Sequence, residues 1–156
     1  MAKPTRARAS GPEEERLGPL CVRFPSRELE FATALAAKDY LALSVWMREA
    51  ILARAARVVA GEICEPLAIE KPNGGSHQVC IRFRPHEWKT VHRACVKENA
   101  LWSPWIRAEV RRRVDQAIVR GDLSATPGEV REARRRQDPD VGIVAEVKPV
   151  GRRKTA

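Results

Sequence analysis

Two short segments, Leu20-Cys21-Val22-Arg23-Phe24 and Val79-Cys80-Ile81-Arg82-Phe83, interleave apolar and polar side chains. Alternation with period two and β-branched residues predicts a half-buried strand in each. Leu20, Val22 and Phe24, and Val79, Ile81 and Phe83, then face a core, while Cys21, Arg23, Gln78, Cys80 and Arg82 face outward. Arginine can donate two hydrogen bonds to guanine, and glutamine can donate to and accept from adenine, so this outward set suits reading of base edges. His77, His86, His92 and four cysteines offer metal or nucleophile chemistry as the rival. No HExxH, paired CxxC, phosphate-binding glycine loop or nucleophile elbow spaces them for it, and Gly74-Gly75 follows Asn73 in a turn. The expectation is a binding protein and not an enzyme, with no catalytic residue, metal ligand or cofactor.

The elements that position these residues come from an internal repeat. At an offset of 59, Glu28 falls on Glu87, Lys38 on Lys97, Ser44 on Ser103, Trp46 on Trp105, Arg48 on Arg107 and Arg54 on Arg113. The match is ungapped over 39 residues, 20–58 against 79–117, with apolar positions in phase. After each strand, Pro25-Ser26 or Arg84-Pro85 stops the extended run, and a helix is predicted over 27–39 and 86–99. Ser26 is its expected cap in the first copy. The inner faces would carry Leu29, Ala32, Leu35 and Ala36, and Trp88, Val91, Ala94 and Cys95. A second helix begins at Ser44 or Ser103, each a good N-cap, with Pro104 suited to the first helical position. Met47, Ile51, Ala55 and Val58 recur at helical spacing, as do Ile106, Val110, Val114 and Ala117.

One such unit is too small to bury a stable core, and a lone strand leaves its edges unpaired. Both defects vanish if the two strands pair and four helices pack beneath them. The expected fold is therefore mostly α with a two-stranded antiparallel β-ribbon, a pseudo-twofold pair in one chain. Its parts are a flexible basic arm at 1–18, copy one at 19–59, a linker at 60–77, copy two at 78–119 and a basic tail at 120–156. In the tail, Thr126-Pro127-Gly128-Glu129 has capping-box spacing and opens a helix to about Gln137. Val141 to Val147 offers a short strand or docking segment, before the basic Gly151-Arg152-Arg153-Lys154. The arm and this last stretch are expected to order only on a partner.

The net charge of +9 suggests a polyanionic partner, nucleic acid before an anionic membrane surface. Copy two has nine basic and four acidic residues against six and four in copy one, chiefly through Arg111-Arg112-Arg113. That run reads as phosphate contact or as a solvated helix face. No stretch is apolar enough to span a membrane, and the N-terminus lacks the apolar run of a secretory signal. With no CxxC or dense spacing, the four cysteines are expected as reduced thiols in a bacterial cytoplasm, near nucleoid or plasmid.

The Val-Arg-Phe-Pro and Ile-Arg-Phe-Arg-Pro strand ends, with Leu-Ser-Val-Trp-Met-Arg and Trp-Ser-Pro-Trp-Ile-Arg at the second helices, resemble the ribbon-helix-helix superfamily that includes MetJ and Arc. The resemblance covers residues 20–58 and 79–117. A single chain supplying both strands is similar to the tandem arrangement of TraY-type relaxosome proteins and of T-DNA-transfer accessory proteins. The resemblance implies double-stranded DNA as partner, with Cys21, Arg23, Gln78, Cys80 and Arg82 in the major groove. It implies phosphate clamps at Ser44 and Ser103, where helix N-termini attract anions. Arg48 and Arg107, one turn on, would reach phosphate or close internal salt bridges, and Arg111 and Arg112 add phosphate contact. Trp46 and Trp105 would stack or pack. Cys21 opposite Cys80 would form either a redox-sensitive pair or a small-side-chain pair at a crowded dyad. Pro19 matches Gln78, so the half-sites differ and an asymmetric target is open to a monomeric pseudo-dimer. The implied role is an accessory in conjugative or T-DNA-type transfer, with the tail meeting a relaxase; the alternatives are a repressor and an antitoxin-like module.

Overall fold

A computed structural model describes residues 18–70 and 76–138. The expected arm at 1–17, the Asn73-Gly74-Gly75 turn and the stretch after Asp138, with Val141 to Val147 and the basic terminus, lie outside the described residues. The elements run β1 (Leu20–Pro25), α1 (Ser26–Lys38), α2 (Leu43–Val59), β2 (Ser76–Ile81), α3 (Pro85–Lys97), α4 (Trp102–Arg120) and α5 (Pro127–Gln137). The chain is thus mostly helical with one two-stranded antiparallel sheet.

Alternation sets the ribbon's two faces. Val22, Phe24, Ile81 and Phe83 are buried, whereas Arg23, Gln78, Cys80 and Arg82 are exposed. The register pairs Leu20 with Ile81, Cys21 with Cys80, Val22 with Val79 and Arg23 with Gln78. Beneath lie the predicted stripes of the long helices: Met47, Ile51, Ala55 and Val58 on α2, and Ile106, Val110, Val114 and Ala117 on α4. Trp105 and Trp46 belong to this core as well, which assigns them to packing and not to stacking on a ligand. On α1, Ala32 and Ala36 are buried with Leu29 and Leu35 partly so, and Phe31 adds a buried ring. On α3, Val91, Ala94 and Cys95 are buried, and Trp88 half-buried meets Trp102 edge-on at 5.8 Å.

The turns between helices repeat in detail. Leu41 N–H donates to the Ala36 carbonyl and Ala100 N–H to that of Cys95, each at 2.9 Å. Both close a Schellman-type helix end, which needs a left-handed residue just before. Tyr40 (φ 57°) and Asn99 (φ 52°) supply it. Asparagine tolerates that conformation; tyrosine, almost fully exposed here, adopts it at some cost.

Four helix starts differ from expectation. Pro25, not Ser26, is the N-cap of α1. Ala42 and Leu101 are the N-caps of α2 and α4, so Ser44 and Ser103 lie in the first turn and Pro104 one position beyond Ser103. Leu43 and half-buried Trp102 pack against the core, and drawing them in extends each helix backward past its serine. The α3 helix begins at Pro85, where the Glu87 carboxylate accepts the Arg84 N–H at 2.9 Å. In contrast, Thr126 and Glu129 form the predicted capping box, with reciprocal bonds of 3.2 and 3.0 Å.

Helix α5 is part of the packed body. Arg136 clasps buried Asp115 of α4 through two bonds of 2.8 and 2.9 Å, and Arg27 of α1 grips Glu129 at 2.9 and 3.2 Å. The Arg27 guanidinium holds the Glu129 carboxyl down to about 2. Burial raises the Asp115 carboxyl, a push that Arg136 opposes.

A polar knot ties α2, α3 and α4. Arg54 is almost fully buried; it donates to Glu98 at 3.1 and 2.9 Å and to the Glu65 carbonyl at 2.8 Å. Fully buried Glu109 lies 3.6 Å from Arg54 and accepts from Arg112 (2.8 and 2.7 Å) and Arg113 (3.2 Å). Arg113, the repeat counterpart of Arg54, keeps about a third of its side chain in solvent. Removing one partner of a buried pair typically costs ~3–5 kcal/mol, and of an exposed one ~1 kcal/mol or less. Arg54→Ala is therefore expected to destabilise by ~3–5 kcal/mol and Arg113→Ala by about 1 kcal/mol, read by urea unfolding. Equal losses would contradict the difference in burial.

Candidate functional site

The outer ribbon face gathers all five outward residues expected from the alternation. Cys21 lies opposite Cys80 and Arg23 opposite Gln78, with Arg82 one step beyond the end of β2. Among the described residues, neither Arg23 nor Arg82 has an ion-pair partner, and both are exposed. The Gln78 side-chain amide points along the strand toward the Cys80 sulfur at 4.0 Å. The face therefore presents two unneutralised guanidiniums and one amide around a sulfur pair.

At that pair an expectation is corrected. Cys21 and Cys80 are disulfide-bonded rather than two reduced thiols, while Cys64 and Cys95 are free. The physical reason is the register. Cys21 pairs with the residue 59 positions on, its own repeat counterpart, and the two Cα atoms lie 4.2 Å apart. Close antiparallel pairs bring Cα atoms to ~4.5 Å with side chains adjacent, which directs one sulfur at the other.

The starts of α2 and α4 carry the second group. Neither has a side-chain cap, so the first-turn N–H groups have no intrahelical acceptor. Half-buried Ser44 and Ser103 sit in these turns, and Ser103 Oγ accepts from Arg107 at 3.2 Å. Backbone donors with a helix dipole behind them suit an anion.

Several other arginines are engaged within the fold, whereas Arg93, Arg120, Arg131 and Arg134 are exposed with no ion-pair partner among the described residues. Arg48 donates to Glu87 at 3.1 and 2.6 Å, which selects the internal salt bridge of its two expected roles and holds the Glu87 carboxyl below its usual range. Arg111 bridges Glu28 at 3.2 Å and Glu70 at 3.0 Å. Arg112 is clasped by Glu109, so the Arg111-Arg112-Arg113 run is neither a solvated face nor an open cationic stripe. Sequence reasoning missed Glu28 and Glu70 because they come from α1 and from the segment after α2, whereas Glu109 lies three and four residues before Arg112 and Arg113 on α4 itself.

The repeat makes one defect legible. The counterpart of the Arg48–Glu87 bridge is Arg107 with Glu28, yet these two are not bonded. Instead Arg111 holds Glu28, and both Arg107 Nε and Glu28 Oε1 are buried without a hydrogen-bond partner. Burial raises the Glu28 carboxyl, with Arg111 opposing. Arg107 and Arg111 are one helical turn apart, and either can serve the same carboxylate. Each single Arg→Ala change is thus expected to cost ~1 kcal/mol, and the Arg107/Arg111 double change ~3–5 kcal/mol, since only the double strands a buried charge. Additive losses in a double-mutant cycle of urea unfolding would refute the shared carboxylate.

Among the described residues, no cluster of three His, Cys, Asp or Glu side chains is placed to hold a metal, and no helix is long and apolar enough to cross a membrane. Comparison with family models, curated proteins and solved structures finds no match.

Proposed function

We propose that this chain binds double-stranded DNA by laying the outer face of its β1–β2 ribbon in the major groove, as a single-chain pseudo-twofold ribbon-helix-helix pair. The observation that carries the reading is the state of the arginines. Among the described residues Arg23 and Arg82 have no ion-pair partner and share one exposed face with Gln78. Arg93, Arg120, Arg131 and Arg134 are also unpaired but lie on helices, while Arg48, Arg54, Arg111, Arg112 and Arg113 are neutralised by carboxylates. Leaving two guanidiniums without counterions on a narrow ribbon makes sense where a ligand supplies the acceptors. A major groove ~12 Å wide admits a two-stranded ribbon, and guanine O6 and N7 accept from arginine.

Two further observations support it. The strand–helix–helix order occurs twice, with the register centred on Cys21 and Cys80, as a pseudo-dyad requires. The uncapped starts of α2 and α4, with Ser44 and Ser103, offer phosphate sites flanking the ribbon. In this reading Arg107, hydrogen-bonded to Ser103, serves a phosphate, whereas Arg48, Arg111 and Arg112 serve the fold. Pro19 where copy two has Gln78 makes the two half-sites unequal, which suits an asymmetric target such as a DNA-transfer origin and an accessory role beside a nicking enzyme.

Selection of bound duplexes from a random pool is expected to return one site of unequal halves. On that site Arg23→Ala and Arg82→Ala should each weaken binding by ~1–3 kcal/mol and relax the choice of base at different positions. Undiminished binding by the double variant would remove the ribbon from recognition.

A further inference from the structure

The disulfide stands in an unusual place. Cys80 is exposed and Cys21 half-buried, on the ribbon face that carries Arg23, Gln78 and Arg82. A disulfide that served only to hold the core would sit on the inner face, where Val22, Phe24 and Ile81 already pack. Cys95 provides the contrast: it is buried, and burial pushes its thiol up to about 11, where attack on a disulfide is suppressed. The ribbon is also the one sheet among the described residues, six residues per strand, and it joins segments 59 positions apart. Nothing but its own pairing and the underlying core fixes the spacing of Arg23 against Gln78 and Arg82.

We propose that Cys21 and Cys80 form a reversible thiol–disulfide site, open to small disulfides of the glutathione class, whose oxidised state locks the ribbon for duplex binding. The chemistry balances in two exchanges. One cysteine thiolate attacks the small disulfide, forming a mixed disulfide and releasing one thiol. The second cysteine then attacks the protein sulfur of that mixed disulfide and releases the other thiol. Two protein thiols are oxidised and one small disulfide is reduced to two thiols. The register supplies what the second step needs, because the attacking sulfur already faces its target across a 4.2 Å Cα separation.

The consequence follows from ordering. Oxidation closes a loop between residues 59 apart and removes ribbon fraying from the unbound state. A reading face fixed before docking loses less freedom on binding, which favours the oxidised form by roughly three- to tenfold in affinity. The existence of the site stands on the geometry alone; its coupling to affinity rests on the proposed DNA reading.

The test poises the full chain in glutathione buffers of graded ratio and reads free thiols, melting temperature and affinity for a selected duplex. The expected result is a single two-electron step from four free thiols to two, with a melting temperature raised by roughly 5–10 °C. Cys21→Ser and Cys80→Ser should each abolish the step, and the Cys64→Ser/Cys95→Ser double variant should retain it. Four thiols persisting under oxidising poise, or a bond that uses Cys64 or links two chains, would overturn the site. Equal duplex affinity in both states would overturn the coupling while leaving the site. Absence of duplex binding in either state would instead overturn the DNA reading, with the thiol count still deciding the site.

Discussion

A two-stranded ribbon alone in water is marginal, because each strand has open edges and only one face to bury. Here β1 and β2 meet from segments 59 positions apart, so neither forms without the other and neither is worth forming without a core below. Pairing brings Phe24 and Ile81 onto the same floor as Met47, Ile51, Ile106 and Val110. The rest follows from that meeting. The four long helices acquire a common apolar surface, and Cys21, Arg23, Gln78 and Cys80 are turned to the opposite side. The face proposed to read DNA is thus the by-product of closing the core: alternation that buries Val22 and Phe24 must expose Arg23.

The polar interior tells a complementary story. Matched positions in the two copies do different work wherever their partners differ. Arg54 and Arg113 are the same residue type at the repeat offset, yet Arg54 is enclosed by Glu98 and Glu109 while Arg113 keeps solvent. The reason lies in the partners: the counterpart of Glu98 is Asp39 and that of Glu109 is Ala50. Likewise Glu87 is held by Arg48, but its counterpart Glu28 is taken by Arg111, leaving Arg107 beside Ser103. Helix α5 adds to the imbalance by docking on α4 and α1 through Asp115 and Arg27. A chain that carries both copies can diverge in this way, which a pair of identical chains cannot.

Much of this was legible in the residues themselves, where the cause is local. The strands show in their alternation, the long helices in the spacing of Met47 and Ile51 or Ile106 and Val110, and the start of α5 in its Thr126–Glu129 box. Helix starts at Ser44 and Ser103 were misplaced by two residues because Leu43 and Trp102 gain more from packing than a serine cap supplies. The left-handed residue at Asn99 is the kind a sequence can suggest; its counterpart Tyr40 is not, and only the geometry of the turn demands it. Which arginines stay unpaired was legible only where the partner sits one turn away on the same helix, as Glu109 does for Arg112 and Arg113. Arg111 looks like part of a cationic stripe until Glu28 and Glu70 arrive from elsewhere in the fold, whereas the Glu109 that clasps Arg112 lies one turn before it on α4. The outward set Cys21, Arg23, Gln78, Cys80 and Arg82 was legible, since strand period alone decides it, whereas the bond between the two sulfurs depends on register.

We propose that this one face, with the starts of α2 and α4, meets duplex DNA. Mapping backbone amide shifts by NMR as a selected duplex is added tests it most directly. The largest shifts are expected on Cys21 to Phe24, on Gln78 to Arg82 and on the first turns of α2 and α4, with α5 nearly silent. Shifts confined to α5 or α3, with the ribbon unmoved, would contradict it.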